Sequence, residues 1–184
     1  MVFQRSLIAA AAAVCSGGVV AYPTEAVFGL GCDPLNQSAV ERLLAIKRRP
    51  WQKGVILIAD SFDQFDSYIQ PLNSTQQATL QASWPGAVTW IVPAGNRLPR
   101  WITGVHKTVA IRVPAHPLAR QLCRLVGGPV VSTSANLSGQ PAYRNALPLR
   151  YHLGQQLDGV VSGAVGGRAQ PSTIRDLNSG NTLR

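Results

Sequence analysis

Residues 129–141 have the sequence PVVSTSANLSGQP, which is the most informative stretch for predicting the fold and its chemistry. It begins with the apolar pair Val130-Val131, which is typical of a buried strand. Small hydroxyl and amide side chains follow: Ser132, Thr133, Ser134, Asn136 and Ser138. Because ligands of open α/β sheets bind beyond the carboxyl ends of strands, the stretch predicts a site for phosphate or a small polar substrate. The alternative is a Ser/Asn-rich turn closed by Gly139 and Pro141.

Strand and helix patterns alternate around this stretch without strict regularity. Apolar runs predict strands at 19–22, 55–59, 87–92, 108–114 and 129–133, and helical spacing predicts helices at 38–46, 74–83 and 116–126. We therefore expect an α/β fold in one domain, residues 1–184, with a twisted mixed sheet of parallel and antiparallel strands flanked by helices. Neither GxGxxG nor a Walker sequence is present, so a bound nucleotide would be held by another arrangement.

Two local features lie between the first predicted strand and the first basic cluster. Residues 23–34, PTEAVFGLGCDP, combine two prolines with two glycines and predict an irregular loop. Ser38 followed by Glu41 resembles a capping box, so we expect the next helix to begin at Ser38. That helix ends in Lys47-Arg48-Arg49, whose charge suits a helix C-terminus or a bound anion.

The charge balance is strongly basic. The chain has 17 Lys and Arg residues against 8 Asp and Glu, for a net charge of +9. Such an excess indicates a polyanionic partner or substrate, such as nucleic acid or nucleotide phosphate, although it also fits a merely soluble basic protein. Arg112 is the best single candidate for a functional residue, because a charged side chain inside an apolar strand must meet a carboxylate, a ligand or water.

Cysteine and histidine placement argues against a metal centre. Cys15, Cys32 and Cys123 are far apart in the sequence, and the three histidines are scattered. An odd number of cysteines favours reduced, buried thiols in the cytoplasm. Residues 5–15 could be read as a signal peptide, but an amphipathic first helix fits their spacing better. No apolar run is long enough for a transmembrane helix, so no membrane partner is expected.

Five blocks of sequence together resemble one known family. They are YPTEAVFGLGCDP at 22–34, KRRPWQK at 47–53, VAIRVPAHPL at 109–118, STSANLSGQP at 132–141 and PSTIRD at 171–176. In this order they resemble the YrdC-like threonylcarbamoyl-AMP synthases, also called TsaC, in their short bacterial form. The resemblance implies a YrdC-like domain with a deep, basic concave face.

The resemblance also implies an activity and its partners. The enzyme would condense L-threonine, bicarbonate and ATP into threonylcarbamoyl-adenylate and pyrophosphate, with Mg²⁺ accompanying the ATP. A complex of TsaB, TsaD and TsaE would then transfer the threonylcarbamoyl group to adenosine 37 of tRNAs that read ANN codons. Contact with tRNA or other RNA through the basic face is also implied.

Site residues follow from the same blocks, position by position. The resemblance implies catalytic roles for Lys47, Arg49 and Arg112, and no metal site on the protein. ATP would be bound by Lys47, Arg49, Lys53, Thr108, Ser134, Asn136, Arg144 and Arg184. Threonine would be bound by Thr24, Arg112, Ser132 and Ser172.

The chain departs from longer members of the family in two respects. They have a His in the strand after the basic block, where this chain has Ile58, and they continue into a further domain beyond the position of Arg184. Two other functions stay open on the sequence. One is an RNA-binding or ribosome-maturation factor that lacks synthase activity. The other is an accessory domain of the carbamoyltransferase type.

Overall fold

The structure, a computed structural model, describes residues 2–183, so the expected ligand residue Arg184 lies outside the described part. Its strands are β1 Val20–Pro23, β2 Phe28–Gly31, β3 Ile56–Ile58, β4 Val88–Pro93, β5 Thr108–Arg112, β6 Val130–Ser134, β7 Gly159–Val160 and β8 Thr173–Asp176. Its α-helices are α1 Val2–Cys15, α2 Gln37–Lys47, α3 Ser74–Ser83, α4 Arg100–Thr103, α5 Pro117–Val126 and α6 Ala146–Leu153. Short 3₁₀ helices occupy Trp51–Lys53, Phe62–Phe65 and Gly154–Gln156. None of the helices within residues 2–183 is long and apolar enough to cross a membrane.

The strands form one mixed sheet in the order β7-β1-β2-β6-β3-β5-β4-β8. The pairs β1/β7, β3/β5 and β4/β8 are parallel, and the other pairs are antiparallel. The predicted α/β class with a mixed sheet is therefore confirmed. Strand β6, which contains three hydroxyl side chains, lies between β2 and β3, inside the sheet.

The two faces of the sheet are covered differently. One face packs on α2, α3, α4 and α6 through residues such as Leu43, Leu80, Ile102 and Leu149. On the other face, α1 and α5 cover the part around β1, where Leu7 and Leu122 pack with Tyr22, and also the ends of β3 and β6 at Ile58 and Val130. Because side chains alternate along a strand, the uncovered part of that face displays alternate residues of the central strands.

β2 corrects the expectation of an irregular loop over residues 23–34. Gly29 and Gly31 indicated a turn, yet both lie in an extended, fully buried strand. The aromatic ring of Tyr22 on β1 lies against these glycines, and a Cβ at Gly31 would be 2.6 Å from the carbonyl oxygen of Val131. The glycines therefore serve close packing between strands, which is a known reason for Gly inside a sheet.

The cap of α2 and the burial of one cysteine also differ from the sequence predictions. Asn36, not Ser38, caps α2: its side chain accepts the backbone N–H of Ala39, so the predicted capping box is wrong. The thiols of Cys32 and Cys123 are buried as expected, whereas Cys15 is exposed.

The packing of β2 predicts a steric cost for a single methyl group. Gly31→Ala should lower the free energy of unfolding by about 1–3 kcal/mol, because the new Cβ would collide with the Val131 carbonyl and with the Tyr22 ring at 2.8 Å. Urea-induced unfolding measures this change. Gly128→Ala is the matched control, since nothing lies within 4 Å of a Cβ at Gly128, and it should be neutral or slightly stabilising. Equal stability of the two variants would contradict the packing argument.

Candidate active site

A cavity of about 730 Å³ occupies the uncovered part of the sheet face. Residues of six strands line it, among them Ser132 and Ser134 of β6, Thr108 and Arg112 of β5, and Asp176 of β8. The cavity spreads across the face of β6 and also extends beyond the carboxyl end of that strand, where Asn136 and Ser138 line it. The regular alternation of a strand brings Ser132 and Ser134 to one side.

Lys47 connects the end of α2 to the turn that follows β6. Its side chain is only 3% exposed. Nζ donates to the carbonyl of Ser134, to the carbonyl of Asn136 at 3.0 Å and to Oδ1 of Asn136 at 2.9 Å. In return, the carbonyl of Lys47 accepts both the backbone N–H and the hydroxyl of Ser138, each at 2.9 Å. Lys47 thus fixes the shape of the 134–138 turn.

The pKa of Lys47 is lowered from 10.5 to about 8. Burial is the main cause, because desolvation penalises the ammonium form, and the nearby charge of Arg49 adds to the effect. Its oxygen partners are carbonyl and amide groups, which accept the ammonium hydrogens without cancelling its charge. The positive charge of Lys47 therefore persists in the wall of the cavity near neutral pH.

The Ser-Ala-Asn turn is braced internally as well. The hydroxyl of Ser134 donates to Oδ1 of Asn136 at 2.7 Å, and the Asn136 amide donates to the carbonyl of Gln140. Both residues line the cavity. Since hydrogen bonds from Lys47 and within the turn fix its shape, a ligand would meet a preformed set of polar groups there.

Two further cations lie beside this turn. Arg49 is partly buried, and its Nη2 donates to the carbonyl of Gly54 at 2.8 Å. Lys53 is exposed at the rim. Both line the cavity together with Lys47, so the basic block 47–53 contributes three positive groups to one wall.

Arg112 lies on the cavity face of β5 and forms a buried ion pair. Its Nη2 contacts Oε1 of Glu25, and each side chain is 10% exposed. Nε donates to the carbonyl of Gly86 at 2.8 Å, while Oε1 of Glu25 also accepts the backbone N–H of Ala115 at 2.7 Å. Of the three partners expected for this charge, a carboxylate, a ligand or water, the structure shows a carboxylate.

The residues expected to bind threonine are arranged around this pair. Thr24 precedes Glu25, and its hydroxyl donates to the carbonyl of Val27 at 2.7 Å. Ser132 lies on the cavity face of β6. The hydroxyl of Ser172 bonds to that of the buried Thr89 at 2.8 Å. Thr24, Arg112, Ser132 and Ser172 all line the cavity.

Not every expected residue lines the cavity. Arg144 is exposed and lies beside a separate, smaller depression, although its Nη2 donates to the carbonyl of Arg168 at 3.1 Å. Arg184 is outside the described residues, and the adjacent Leu183 lines the cavity.

The cavity residues that sequence reasoning left out of the expected site include Glu25, Thr89, Arg168 and Asp176. The only available signal for Arg168 was its position directly after Gly166-Gly167. Thr89 gave none, because a threonine in an apolar strand is ordinary.

Within residues 2–183 there is no group of three His, Cys, Asp or Glu side chains placed to hold a metal ion. Two acids line the cavity, and each already has partners. Glu25 pairs with Arg112, and Asp176 accepts the backbone N–H groups of Asn178 and Ser179. The cavity therefore offers a ligand mainly cations, hydroxyls and amides.

A mixed α/β sheet with such a cavity on one face defines a protein that binds a small anionic or polar ligand. The family model Sua5_yciO_yrdC, described as "Telomere recombination", matches residues 12–184. The chain belongs to this Sua5/YciO/YrdC family.

Individual relatives agree with this assignment. The chain is 55% identical over 171 residues to a Stutzerimonas stutzeri protein named threonylcarbamoyl-AMP synthase, covering 93% of this chain and 92% of that one. It is 51% identical over 183 residues to a Stenotrophomonas maltophilia protein of the same name, covering 98% of each. Among solved structures it resembles P. abyssi Sua5 complexed with L-threonine, with a TM-score of 0.90 and 32% identity. That match covers 97% of this chain and 53% of the other, so the chain spans about half the length of Sua5.

The buried ammonium of Lys47 predicts a particular pH dependence of stability. Because its pKa in the folded state, about 8, lies below the ordinary 10.5, the unfolded state binds more protons between these values. Stability must therefore rise with pH in this window, and Lys47→Met should abolish the rise. From pH 7 to 9.5 the unfolding free energy of the wild type should increase by about 1–2 kcal/mol relative to Lys47→Met.

Urea unfolding at a series of pH values measures the difference. Lys107→Met removes an exposed lysine and serves as the control, and it should follow the wild type at each pH. A difference between wild type and Lys47→Met that stays constant with pH would contradict the prediction.

Proposed function

We propose that this chain is a threonylcarbamoyl-AMP synthase, which condenses L-threonine, bicarbonate and ATP into threonylcarbamoyl-adenylate and pyrophosphate. One observation carries the proposal: Lys47, Arg49, Arg112, Ser134 and Asn136 converge on a single cavity. The 55% identity to a protein of that name supports it. So does the similarity to Sua5 complexed with L-threonine.

The chemistry requires a site of this composition. The threonine amine and bicarbonate form a carbamate, whose oxygen attacks the α-phosphorus of ATP while pyrophosphate leaves. Carbamate, carboxylate and triphosphate are all anions, so catalysis consists mainly of holding them together and in line. Cations and hydrogen-bond donors along one cavity can do this without a covalent enzyme intermediate.

The contacts refine the proposed roles. We infer that Arg49 and Lys53 meet phosphate oxygens and that Arg112 receives the threonine carboxylate or the carbamate. Nζ of Lys47 already contacts the Ser134–Asn136 turn, so we assign it the task of holding that turn while adding its positive charge to the wall. Ser134 and Asn136 then present the turn to the nucleotide.

Thr24, Ser132 and Ser172 supply hydroxyls at the threonine end, and Thr108 lies on the nucleotide side. We retain Arg144 and Arg184 as ATP contacts only as part of this proposal. Mg²⁺ would enter with ATP, held mainly by phosphate oxygens and water, because the two cavity acids already have partners.

The product is a mixed anhydride of a carbamic acid and a phosphate, so it needs a dedicated acceptor reaction. We propose that a cytoplasmic complex of TsaB, TsaD and TsaE uses it to modify adenosine 37 of tRNA. Direct contact with tRNA or other RNA through the net charge of +9 is part of this proposal, secondary to the synthase reaction.

The first test is pyrophosphate release from MgATP by the purified full-length chain. Release should require both L-threonine and bicarbonate. Arg112→Ala should lower kcat/KM for threonine tenfold to a hundredfold or more, since a charge-assisted hydrogen bond contributes about 1.5–3 kcal/mol. Arg97→Ala removes an exposed arginine that does not line the cavity, and it should retain full activity.

The same preparations distinguish the RNA-binding alternative. An absence of release under every combination, together with tight binding of RNA that weakens steeply with salt, would reject the synthase and favour an RNA-binding protein. Equal losses of kcat/KM in Arg112→Ala and Arg97→Ala would indicate that the reaction takes place outside this cavity.

A further inference from the structure

Glu25 has no assigned part in the reaction, yet it is one of two acids in a cavity rich in cations. Its side chain is buried. Oε1 is shared between Arg112 and the backbone N–H of Ala115. Oε2 is also buried and accepts no hydrogen bond from the described residues. A buried carboxylate oxygen without a partner is costly, so its retention calls for an explanation.

Both members of the Glu25–Arg112 ion pair carry a charge. Burial raises the pKa of Glu25, but the charge and hydrogen bond of Arg112 outweigh it and hold the pKa below its usual value. Glu25 is therefore ionised at neutral pH, and the Glu25–Arg112 pair has no net charge. Arg112 donates from Nε to the carbonyl of Gly86 and contacts Glu25 through Nη2.

A neutral ion pair discriminates between ligands by their own charge pattern. A simple carboxylate gains from Arg112 but is repelled by Glu25, and at similar distances these Coulomb energies largely cancel. A zwitterion that places its carboxylate near Arg112 and its ammonium near Glu25 gains from both. Repulsion of the wrong ligand and attraction of the right one therefore act together.

We propose that Glu25 is a specificity-determining residue, which makes the Arg112 end of the cavity select a zwitterionic amino acid over a simple carboxylate. Its carboxylate attracts the substrate ammonium group electrostatically in the binding step, before that group loses its proton and forms the carbamate. The inference rests on the proposed function, in which L-threonine binds beside Arg112.

The test compares two ligands that differ only in the ammonium group. L-threonine and 3-hydroxybutyrate are titrated calorimetrically into wild-type protein saturated with a non-hydrolysable ATP analogue. The wild type should prefer threonine. Glu25→Gln should weaken threonine binding about tenfold to a hundredfold and strengthen 3-hydroxybutyrate binding several-fold. Glu41→Gln makes the same substitution at an exposed acid on α2 and should change neither affinity.

Opposite shifts are the decisive readout, because general structural damage would weaken both ligands. Weakening of both ligands by Glu25→Gln, or a wild type that binds the two equally, would overturn the inference. If Glu25→Gln does not fold with Arg112 left unpaired, Glu25→Gln/Arg112→Gln replaces the pair by two neutral amides. That variant should bind both ligands weakly and without preference, and a retained preference for threonine would overturn the inference.

The outcomes separate this inference from the synthase proposal. If the wild type binds threonine selectively but releases no pyrophosphate, the synthase proposal is rejected. The role of Glu25 is then judged by the ratio of the threonine and 3-hydroxybutyrate affinities in wild type and Glu25→Gln. A wild type that releases pyrophosphate, with an unchanged ratio in Glu25→Gln, would reject the role of Glu25 alone.

Discussion

One buried ammonium group holds together the two segments on which the cavity depends. Lys47 ends α2, and its Nζ reaches the turn after β6, 87–89 residues further along the chain. Desolvation of the charge is offset by oxygen acceptors, and these acceptors would themselves be unsatisfied without it. Because the carbonyl of Lys47 also accepts from Ser138, the connection is two-sided and the turn cannot move independently of the helix. The polar wall of the cavity follows from this connection.

The sheet supplies the space into which that wall faces. Four helices pack on one face, but on the other face α1 and α5 cover only the part around β1 and the ends of β3 and β6 at Ile58 and Val130. The central strands therefore bury apolar residues on one side and display hydroxyls and Arg112 on the other. The interior position of β6 matters here, because it places Ser132 and Ser134 in the middle of the uncovered area. Tight packing of Tyr22 on the glycines of β2 keeps the neighbouring strand close.

Three of the eight acidic residues in this basic chain form ion pairs with particular arginines. Asp60 binds Arg120 and Arg124, and Asp158 binds Arg42, so these ion pairs attach helices α5 and α2 to other parts of the chain. The Glu25–Arg112 pair has the same chemistry but a different place, since it lies in the cavity wall. The cavity thus combines the three cations of the 47–53 block with a neutral pair at Arg112. Such a difference agrees with the proposed binding of a polyphosphate at one end and a zwitterion at the other.

The sequence by itself determined the features that depend on near neighbours. Periodicity predicted the α/β class and the helix at 74–83, and the cost of burying a charge predicted a partner for Arg112. It could not identify β2, because two glycines indicate a turn until the ring of Tyr22 is known to pack on them. Nor could it choose Glu25 for Arg112, or join Lys47 to Asn136. Propensity and periodicity act over a few residues, whereas these contacts depend on the order of strands in the sheet, which only the tertiary structure decides.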